Sequence, residues 1–246
     1  MDHGLYISMS GARQTLLAQA ANTHNLANVS TPGFREDLTA MRAMSLYGPG
    51  LPTRAYAMAE RPAVNFESGP VNTTGRDLDV AIAGEGWLAV QANDGHEAYT
   101  RNGNLRVSTA GMLVTGAGYP VLGEGGPISL PPADKIEIND DGTISIVPSG
   151  EDPNTLVVVD RLKLVNPDAA QLVKGLDGLI HHRDDVEAEP DENVRLVAGA
   201  LEGSNVSAVE AMVNMIDLAR RFEMQVKMMQ TVERNDEADA TLLRLS

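Results

Sequence analysis

Apolar residues recur at helical spacing at both ends of the chain, and this feature constrains the fold more than any other. They return every three or four positions between Leu5 and Ala27, and again between Ser207 and Leu245. This spacing predicts an amphipathic helix at each end. The intervening residues form short runs of strand formers broken by Gly, Pro, Asn and Asp, which predicts an antiparallel β insert. The expected fold class is therefore α+β.

Each predicted terminal helix carries one apolar stripe that has to be buried. The first stripe comprises Leu5, Met9, Ala12, Leu16, Ala20 and Leu26, and the last comprises Val209, Met212, Ile216, Ala219, Phe222, Val226, Met229 and Val232. The last helix would be about 57 Å long and the first about 36 Å, so the two cannot cover each other fully. The stripes therefore predict assembly contacts with neighbouring copies. The alternative is an ordinary monomer in which both helices share one core.

Residues with capping chemistry mark the expected ends of these helices. Asp2 is a suitable N-cap for the first helix, and residues 30–33 end it, because their Pro-Gly pair suits a type II turn. Ser207 and Glu210 fit a capping box, which predicts that the last helix begins at residue 208. Frequent Pro and Gly between residues 34 and 75 predict an irregular connecting arm rather than a domain.

The β insert is predicted from runs of strand-forming residues. The expected strands are Leu78–Ala83, Trp87–Gln91, Glu97–Arg101, Leu105–Ser108, Met112–Thr115, Tyr119–Leu122, Lys135–Ile138, Thr143–Val147 and Leu156–Val165. The dipeptides Asp94-Gly95, Asn102-Gly103, Ala110-Gly111 and Asp141-Gly142 are expected to turn hairpins between them. An acidic run over residues 184–192 predicts a solvated loop.

Charge and composition exclude several classes of function. The formal net charge is −15, and most of it lies in residues 71–190, which hold nineteen acidic and eight basic residues. Such a surface disfavours nucleic acid and anionic lipid as partners. The chain has no cysteine, so neither disulfides nor thiolate chemistry are expected. The N-terminal residues lack the pattern of a secretory signal, so a cleaved signal peptide is not expected.

None of the motifs with possible chemistry predicts a catalytic, cofactor or metal site. Residues 84–86 read Gly-Glu-Gly, but a strand follows them instead of a helix, so a tight turn is favoured over a dinucleotide loop. Residues 139–142 lack most ligands of a calcium loop, which favours a hairpin turn. His181 and His182 are adjacent, and adjacent residues on a strand point to opposite faces, so these two are interpreted as surface histidines and not as ligands of one metal.

Four motifs in order along the chain carry a resemblance to a known family. They are residues 24–35 (HNLANVSTPGFR), 78–87 (LDVAIAGEGW), 99–105 (YTRNGNL) and 201–206 (LEGSNV). Together they are similar to the axial proteins of the bacterial flagellum, which form its rod and hook. The positions that match the N-terminal signature are Asn25, Leu26, Ala27, Asn28, Thr31, Pro32, Gly33 and Phe34.

The resemblance implies a structural subunit without enzymatic activity or cofactor. Its expected organisation is an inner tube of paired, coiled-coil-like terminal helices (1–30 and 206–246), a connecting layer (31–75 and 191–205) and an outer antiparallel β domain (76–190). Copies would polymerise helically into a shaft that transmits torque. The implied partners are other proximal and distal rod proteins, copies of the same chain and the flagellar type III export apparatus. The implied location is the basal body, in the part of the rod that spans the periplasm.

Chain length and local sequence narrow the choice within this family. The much longer hook proteins and the shorter rod subunits without an insert do not fit 246 residues. Residues 1–6, Trp87 and residues 211–213 and 219–224 resemble a proximal rod subunit more than the distal one. The distal rod subunit remains one alternative. An acidic carbohydrate-binding protein or hydrolase with helical oligomerisation tails is a more distant one, which predicts a soluble oligomer with carboxylate-dependent activity.

Overall fold

The structure, a computed structural model, describes residues 4–45, 55–59, 63–150, 152 and 155–244. It divides into two compact units, each built from separate stretches of chain. Unit 1 contains residues 1–28, 36–65 and 206–246, and unit 2 contains residues 29–35 and 66–205. The chain therefore crosses between the units at four points, which follow Asn28, Arg35, Asn65 and Asn205. The α+β class is confirmed.

Unit 1 contains both long helices. Helix α1 spans Gly4–Ala27 and helix α2 spans Ala208–Arg244. The predicted start of α2 is confirmed, and the amide of Glu210 donates to the Ser207 hydroxyl at 3.4 Å as a capping box requires. The proposed N-cap of α1, Asp2, lies outside the described residues.

The two helices of unit 1 pack against each other in antiparallel orientation. Near the end of α1, Asn22 Nδ2 donates to the carbonyl of Ala211 at 2.7 Å. Near its start, a Cβ built on Gly11 would lie 2.8 Å from Nε2 of Gln225. Because α1 is the shorter helix, it cannot cover all of α2, and the described side chains between residues 233 and 241 are exposed.

Unit 1 also contains short strands in the segment predicted to be irregular. Strands β1 (Asp37–Leu38) and β4 (Ala63–Val64) form one antiparallel pair, and β2 (Met41–Ser45) and β3 (Ala55–Ala59) form another. The segment thus contains two pairs of strands. Their residues do not alternate regularly between apolar and polar, so the sequence did not predict these strands.

Unit 2 is an assembly of small antiparallel sheets. Its strands are β5 (Val71–Thr73), β6 (Val80–Ala83), β7 (Trp87–Gln91), β8 (Glu97–Thr100), β9 (Leu105–Val107), β10 (Leu113–Thr115), β11 (Leu122–Gly123), β12 (Gly126–Pro127), β13 (Ala133–Ile138), β14 (Thr143–Pro148), β15 (Val157–Arg161), β16 (Leu164–Val165), β17 (Leu172–Lys174), β18 (Ile180–His182), β19 (Arg195–Ala198) and β20 (Ala200–Glu202). A short 3₁₀ helix spans Ala169–Gln171. The largest sheet has the order β16-β7-β8-β18-β17, and β13-β14-β15 form a second.

Strand β7 separates two apolar clusters in unit 2. Leu88 and Val90 point into the larger cluster, while Trp87 and Ala89 point into the smaller one. A strand buried on both faces has a continuous apolar sequence instead of an alternating one, as this strand does. Trp87 is therefore held in the smaller cluster, where its ring meets Phe66 edge-on at a centroid distance of 5.6 Å.

Most of the predicted strands are confirmed within one to three residues, but two predictions are wrong. The run Leu156–Val165 is split into β15 and β16, which belong to different sheets. Asn102-Gly103 does not turn a hairpin, because β8 and β9 pair with other strands. Gly103 is needed there for a close approach, since a Cβ would lie 1.7 Å from the carbonyl oxygen of Val80.

Candidate assembly surface

Helix α1 packs with a face of small and polar side chains. The buried residues on this face are Ser8, Ala12, Thr15, Ala18 and Asn25. Small side chains let two helices approach closely, but each buries little apolar area. Of the predicted stripe, only Ala12 lies in this buried face, and Leu26 is half-buried.

The larger apolar side chains of α1 lie on another side of the helix and are exposed. They include the predicted positions Leu5, Met9 and Leu16, together with Tyr6 and Leu17. Ala20, also predicted, is exposed as well. Within unit 1, α1 thus buries its small residues and presents its large apolar ones to solvent.

The first half of α2 also exposes large apolar side chains. The predicted residues Val209, Met212 and Ile216 are exposed, with 74%, 54% and 57% of their surface accessible. These three side chains follow helical spacing and so form one continuous stripe. The other predicted residues are half-buried: Ala219, Phe222, Val226, Met229 and Val232.

An exposed apolar stripe on each of two helices is unusual for a chain that functions alone. Single exposed apolar residues are common, but contiguous ones mark surfaces that contact another molecule. We therefore define the assembly surface as the exposed large apolar residues of α1 and of α2 up to residue 216: Leu5, Tyr6, Met9, Leu16, Leu17, Val209, Met212, Val213 and Ile216.

The signature residues of the N-terminal motif have definite structural roles. Asn25 is buried in unit 1, where its Nδ2 donates to the Asp37 carbonyl and its Oδ1 accepts from the Asp37 amide, both at 2.9 Å. The amide side chain thereby pairs with backbone as a neighbouring strand would. Asn28 Nδ2 donates to the carbonyl of His24 at 2.9 Å, which provides a hydrogen bond to a carbonyl in the last turn of α1.

The Pro-Gly pair of this motif turns the chain as predicted. The amide of Phe34 donates to the carbonyl of Thr31 at 3.3 Å, and Gly33 has φ +69°. A type II turn requires this positive φ after Pro32. The turn belongs to unit 2, where Lys174 Nζ lies 4.0 Å from the centroid of the Phe34 ring and donates to the carbonyl of Arg35 at 2.7 Å.

A buried cluster of three charged residues in unit 2 was missed by sequence reasoning. Glu202 is 1% exposed, Arg35 2% and Arg101 4%. Glu202 Oε1 accepts from Arg35 Nη2 at 2.6 Å, and Glu202 Oε2 accepts from Arg101 Nη1 at 3.0 Å. Both guanidinium groups lie over the Trp87 ring, at 5.7 and 5.4 Å from its centroid. We call these four residues the Glu202 cluster.

A signal for the Glu202 cluster was present in the sequence. Each of the four motifs that carry the family resemblance contributes one member: Arg35, Trp87, Arg101 and Glu202. Residues far apart in sequence that share one buried site cannot be paired from spacing alone, but motifs shared with a family often mark such sites.

The Glu202 cluster holds more positive than negative charge. Nε and Nη1 of Arg35 and Nε of Arg101 are buried without a hydrogen-bond partner among the described residues. Burial lowers the pKa of Arg101 below its ordinary value, while the nearby Glu202 carboxylate opposes that change. The Glu202 carboxylate is the anion that accepts hydrogen bonds from both cations.

The motifs considered for chemistry are structural in unit 2. Gly84 and Gly86 have positive φ in a turn, and the Gly84 carbonyl accepts from Arg101 Nη2 at 2.7 Å. Residues 139–142 turn the β13–β14 hairpin, as predicted. Hydrogen bonds from the backbone amide and hydroxyl of Thr143 lower the pKa of Asp141 in that turn.

The two histidines do not form a common site. His181 Nε2 lies 3.0 Å from Asp177 Oδ2, and His182 Nε2 lies 3.0 Å from Gln171 Oε1. In the described part of the chain, no group of three or more His, Cys, Asp and Glu side chains is placed to hold a metal ion. Among those same residues, no helix combines the length and the apolar character needed to cross a membrane.

Three known protein families match this chain in succession. Residues 5–35 match "Flagella basal body rod protein", residues 81–146 match "Flagellar hook protein FlgE/F/G D1 domain", and residues 197–242 match "Flagellar basal body rod FlgEFG protein C-terminal". The first and last matches cover most of α1 and α2, and the middle one covers much of the β structure of unit 2. These matches define the class of protein as a flagellar rod or hook protein.

Comparison with individual proteins specifies the family further. The flagellar basal-body rod protein FlgF of Salmonella typhimurium is 46% identical to this chain, over 100% of both chains. FlgF of Caulobacter vibrioides is 35% identical over 93% of both. The rod protein FlgG of Buchnera aphidicola (strain APS) is 31% identical over 92% of this chain and 94% of its own. The chain belongs to the FlgF family of flagellar basal-body rod proteins.

Proposed function

We propose that this chain is a non-enzymatic subunit of the proximal rod, which polymerises helically through its terminal helices and helps transmit torque from motor to hook. The observation that carries this proposal is the assembly surface. Within unit 1, α1 buries small residues and α2 buries Ala211, while both helices expose larger apolar side chains. Burial of those larger side chains therefore requires neighbouring subunits.

Helix length supports the same proposal. Helix α2 has 37 residues and α1 has 24, so about 20 Å of α2 extends beyond its partner at 1.5 Å per residue. An isolated helix of that length is marginal in water. Contact with helices of other subunits, in a coiled-coil-like inner tube, would stabilise it.

The distribution of charge fits an inner and an outer region. Unit 1 contains 11 acidic and 9 basic residues, whereas unit 2 contains 23 acidic and 10 basic residues. Near-neutral helices can pack densely with copies of themselves, while a strongly acidic surface is stable facing water. We therefore assign residues 1–30 and 206–246 to the inner tube, 31–75 and 191–205 to a connecting layer, and 76–190 to the outer β domain.

The partners follow from this position in the rod. We propose contacts with proximal rod proteins of the FlgB and FlgC type, with a distal FlgG-type protein and with further copies of this chain. We also propose delivery through the flagellar type III export apparatus into the part of the rod that spans the periplasm.

Electron microscopy of basal bodies tests the proposed function. A strain that lacks the gene is compared with the same strain carrying a plasmid copy. We expect the deletion to yield basal bodies that stop at the inner-membrane ring and a short proximal rod, and the plasmid to restore the distal rod and hook. A complete rod in the deletion strain would refute the proposal.

A further inference from the structure

Three of the four points at which the chain leaves unit 2 converge on the Glu202 cluster. Arg35 is the last residue of one segment of unit 2, Phe66 is the first residue of the other, and Asn205 is its last. Phe66 packs edge-on against Trp87. The amide of Asn205 donates to the carbonyl of Phe34 at 3.4 Å. The segments that connect unit 2 to the rest of the chain are thus gathered around one buried site.

Glu202 contacts each of these segments directly or through a neighbour. Its Oε1 accepts from Arg35 Nη2 at 2.6 Å and from the Gly69 amide at 2.8 Å. Its backbone carbonyl accepts from the Gly33 amide at 2.8 Å. Strand β20 fixes the position of Glu202, because Glu202 pairs with Val71 of β5. One residue therefore joins the segments before Arg35 and after Phe66.

The charges of the cluster indicate that residues 29–35 and 66–70 depend on Glu202 for their position in unit 2. Two guanidinium groups lie over the same indole ring, with one carboxylate between them. Both cations are buried, and three of their donor nitrogens have no partner among the described residues. Removing the carboxylate would leave two like charges in a site of low dielectric, which is strongly unfavourable.

The larger apolar cluster of unit 2 does not depend on the same contacts. It lies on the other face of β7 and includes Leu88, Val90 and Ile146 but no member of the Glu202 cluster, whereas Trp87 and Phe66 belong to the smaller cluster. Release of Arg35 would therefore leave that cluster packed. Local opening of a segment without global unfolding is possible when the segment is held by a few specific contacts.

We infer that Glu202 is a latch, a positioning residue whose negative charge holds residues 29–35 and 66–70 in unit 2, while the larger apolar cluster stays packed without it. Force that passes along the chain into unit 2 must enter through the crossing segments, and the latch joins them at one point. This inference concerns the folded monomer, so it can be tested without rod assembly and does not depend on the proposed function.

Amide hydrogen exchange in the full-length Glu202→Gln variant tests the latch. Glutamine keeps the shape of the side chain and one acceptor oxygen but removes the charge. We expect the amides of Gly33 and Gly69 to exchange at least about tenfold faster than in the wild type. Amides of β7 and β14 should keep their protection. Unchanged exchange at Gly33 and Gly69 would overturn the inference, and so would an equal loss of protection in β7 and β14.

Glu97→Gln provides the matched control. Glu97 is also a buried carboxylate of unit 2. It pairs with Lys163 Nζ at 2.6 Å and accepts from the Ala188 amide at 3.3 Å, and both partners lie outside the crossing segments. In this control, we expect the amide exchange rates of Gly33 and Gly69, measured against those of β7 amides, to equal the wild-type values. Faster exchange of these two amides in the control would show that any lost buried charge opens the segments, which would also refute a specific latch.

A second variant decides the question if Glu202→Gln does not fold. Arg35→Gln removes the surplus cation and leaves the Arg101–Glu202 pair intact. We expect Gly33 to exchange faster while Gly69 stays protected, because Arg101 still holds its acceptor carboxylate. Protection of both amides, or loss of both, would overturn the latch. Trp87 is the one tryptophan in the chain, so a change in its fluorescence would report the opening independently.

Discussion

Gly33 packs directly against the backbone of Arg101. A Cβ built on Gly33 would lie 2.3 Å from the carbonyl carbon of Arg101 and 2.4 Å from the amide nitrogen of Asn102. Real Cβ atoms do not approach backbone this closely, so a glycine is required on steric grounds. Its φ of +69° is a second, independent requirement. Within unit 2, residues 29–35 are therefore packed against Arg101 through a position without a side chain.

We expect Gly33→Ala to release the segment 29–35 from unit 2. The overlap involves backbone atoms, which cannot rotate away as a flexible side chain could. The expected loss is more than about 3 kcal/mol in the free energy that holds this segment, since steric overlap adds to backbone strain. Hydrogen exchange at the Phe34 amide, measured against amides of β7, reports the release.

Gly75→Ala distinguishes the cost of backbone strain at positive φ from the cost of steric overlap of the new Cβ. Gly75 has a similar φ of +73°, but nothing lies within 4 Å of its Cβ position. Its substitution should cost only about 1–2 kcal/mol, the penalty for an ordinary residue in the left-handed region. Equal effects of the two substitutions would show that the contact with Arg101 is unimportant.

Tyr99 is expected to make unit 2 less stable at alkaline pH. Burial, followed by the nearby charge of Glu97, raises the pKa of Tyr99 above its ordinary value of 10.0. The folded state therefore binds the phenolic proton more tightly than the unfolded state. The resulting stability is complete below pH 10 and is lost as the pH rises above it toward the folded-state pKa. Urea unfolding, followed by Trp87 fluorescence between about pH 9 and 11.5, measures how steeply the free energy of unfolding falls with pH.

Tyr99→Phe is the control for the alkaline transition. The phenol accepts a hydrogen bond from the amide of Ala188 at 3.0 Å, so its removal should lower stability at neutral pH by about 1 kcal/mol. Above pH 10 the decline attributed to Tyr99 should be absent. A variant that keeps the full wild-type slope would assign the titration to another group.

The Glu97–Lys163 pair should respond differently to single and double substitution. Lys163→Met leaves a buried carboxylate without its cation, which typically costs about 3–5 kcal/mol. Combining it with Glu97→Met removes both charges, and the double variant should recover most of that loss. Urea unfolding of the three variants measures the difference. A double variant less stable than Lys163→Met alone would show that Glu97 stabilises unit 2 through other contacts, such as the hydrogen bond that it accepts from the Ala188 amide.

The fold was predictable where local chemistry decides it. The capping residues Ser207 and Glu210 predicted the start of α2, and Asp141-Gly142 predicted its hairpin, because both signals act within four residues. Strand β7 was predicted from its apolar run. Asn102-Gly103 was misinterpreted because its glycine serves a contact with Val80, which lies elsewhere in the sequence.

The candidate site was predictable only in part. The apolar stripes predicted helices that seek partners, but not which residues the two helices bury against each other. Helical spacing gives the faces of α1, yet the contacts of Gly11 with Gln225 and of Asn22 with Ala211 depend on tertiary packing. The Glu202 cluster joins Arg35, Arg101 and Glu202 across long sequence separations, which no local pattern can reveal.

Ile216→Asp tests whether the exposed stripe of α2 is an assembly contact. Ile216 is 57% exposed, so a charge there should change the stability of the monomer by no more than about 0.5 kcal/mol. In an assembled rod the same carboxylate would be buried without a partner, which is strongly unfavourable. We expect swimming to be abolished in a deletion strain that produces this variant, while circular dichroism of the purified variant stays at wild-type values.

Two further substitutions on α2 make this prediction specific. Asn214→Asp adds the same charge at an exposed position roughly 160° around the helix from Ile216, and we expect it to support normal swimming. Phe222→Asp places a charge at a half-buried position, so it should weaken the packing of the two helices as well as assembly. Only the Ile216 variant separates the effect on assembly from the effect on helix packing. Normal motility with Ile216→Asp would therefore contradict an assembly role for the stripe, even if Phe222→Asp abolished swimming.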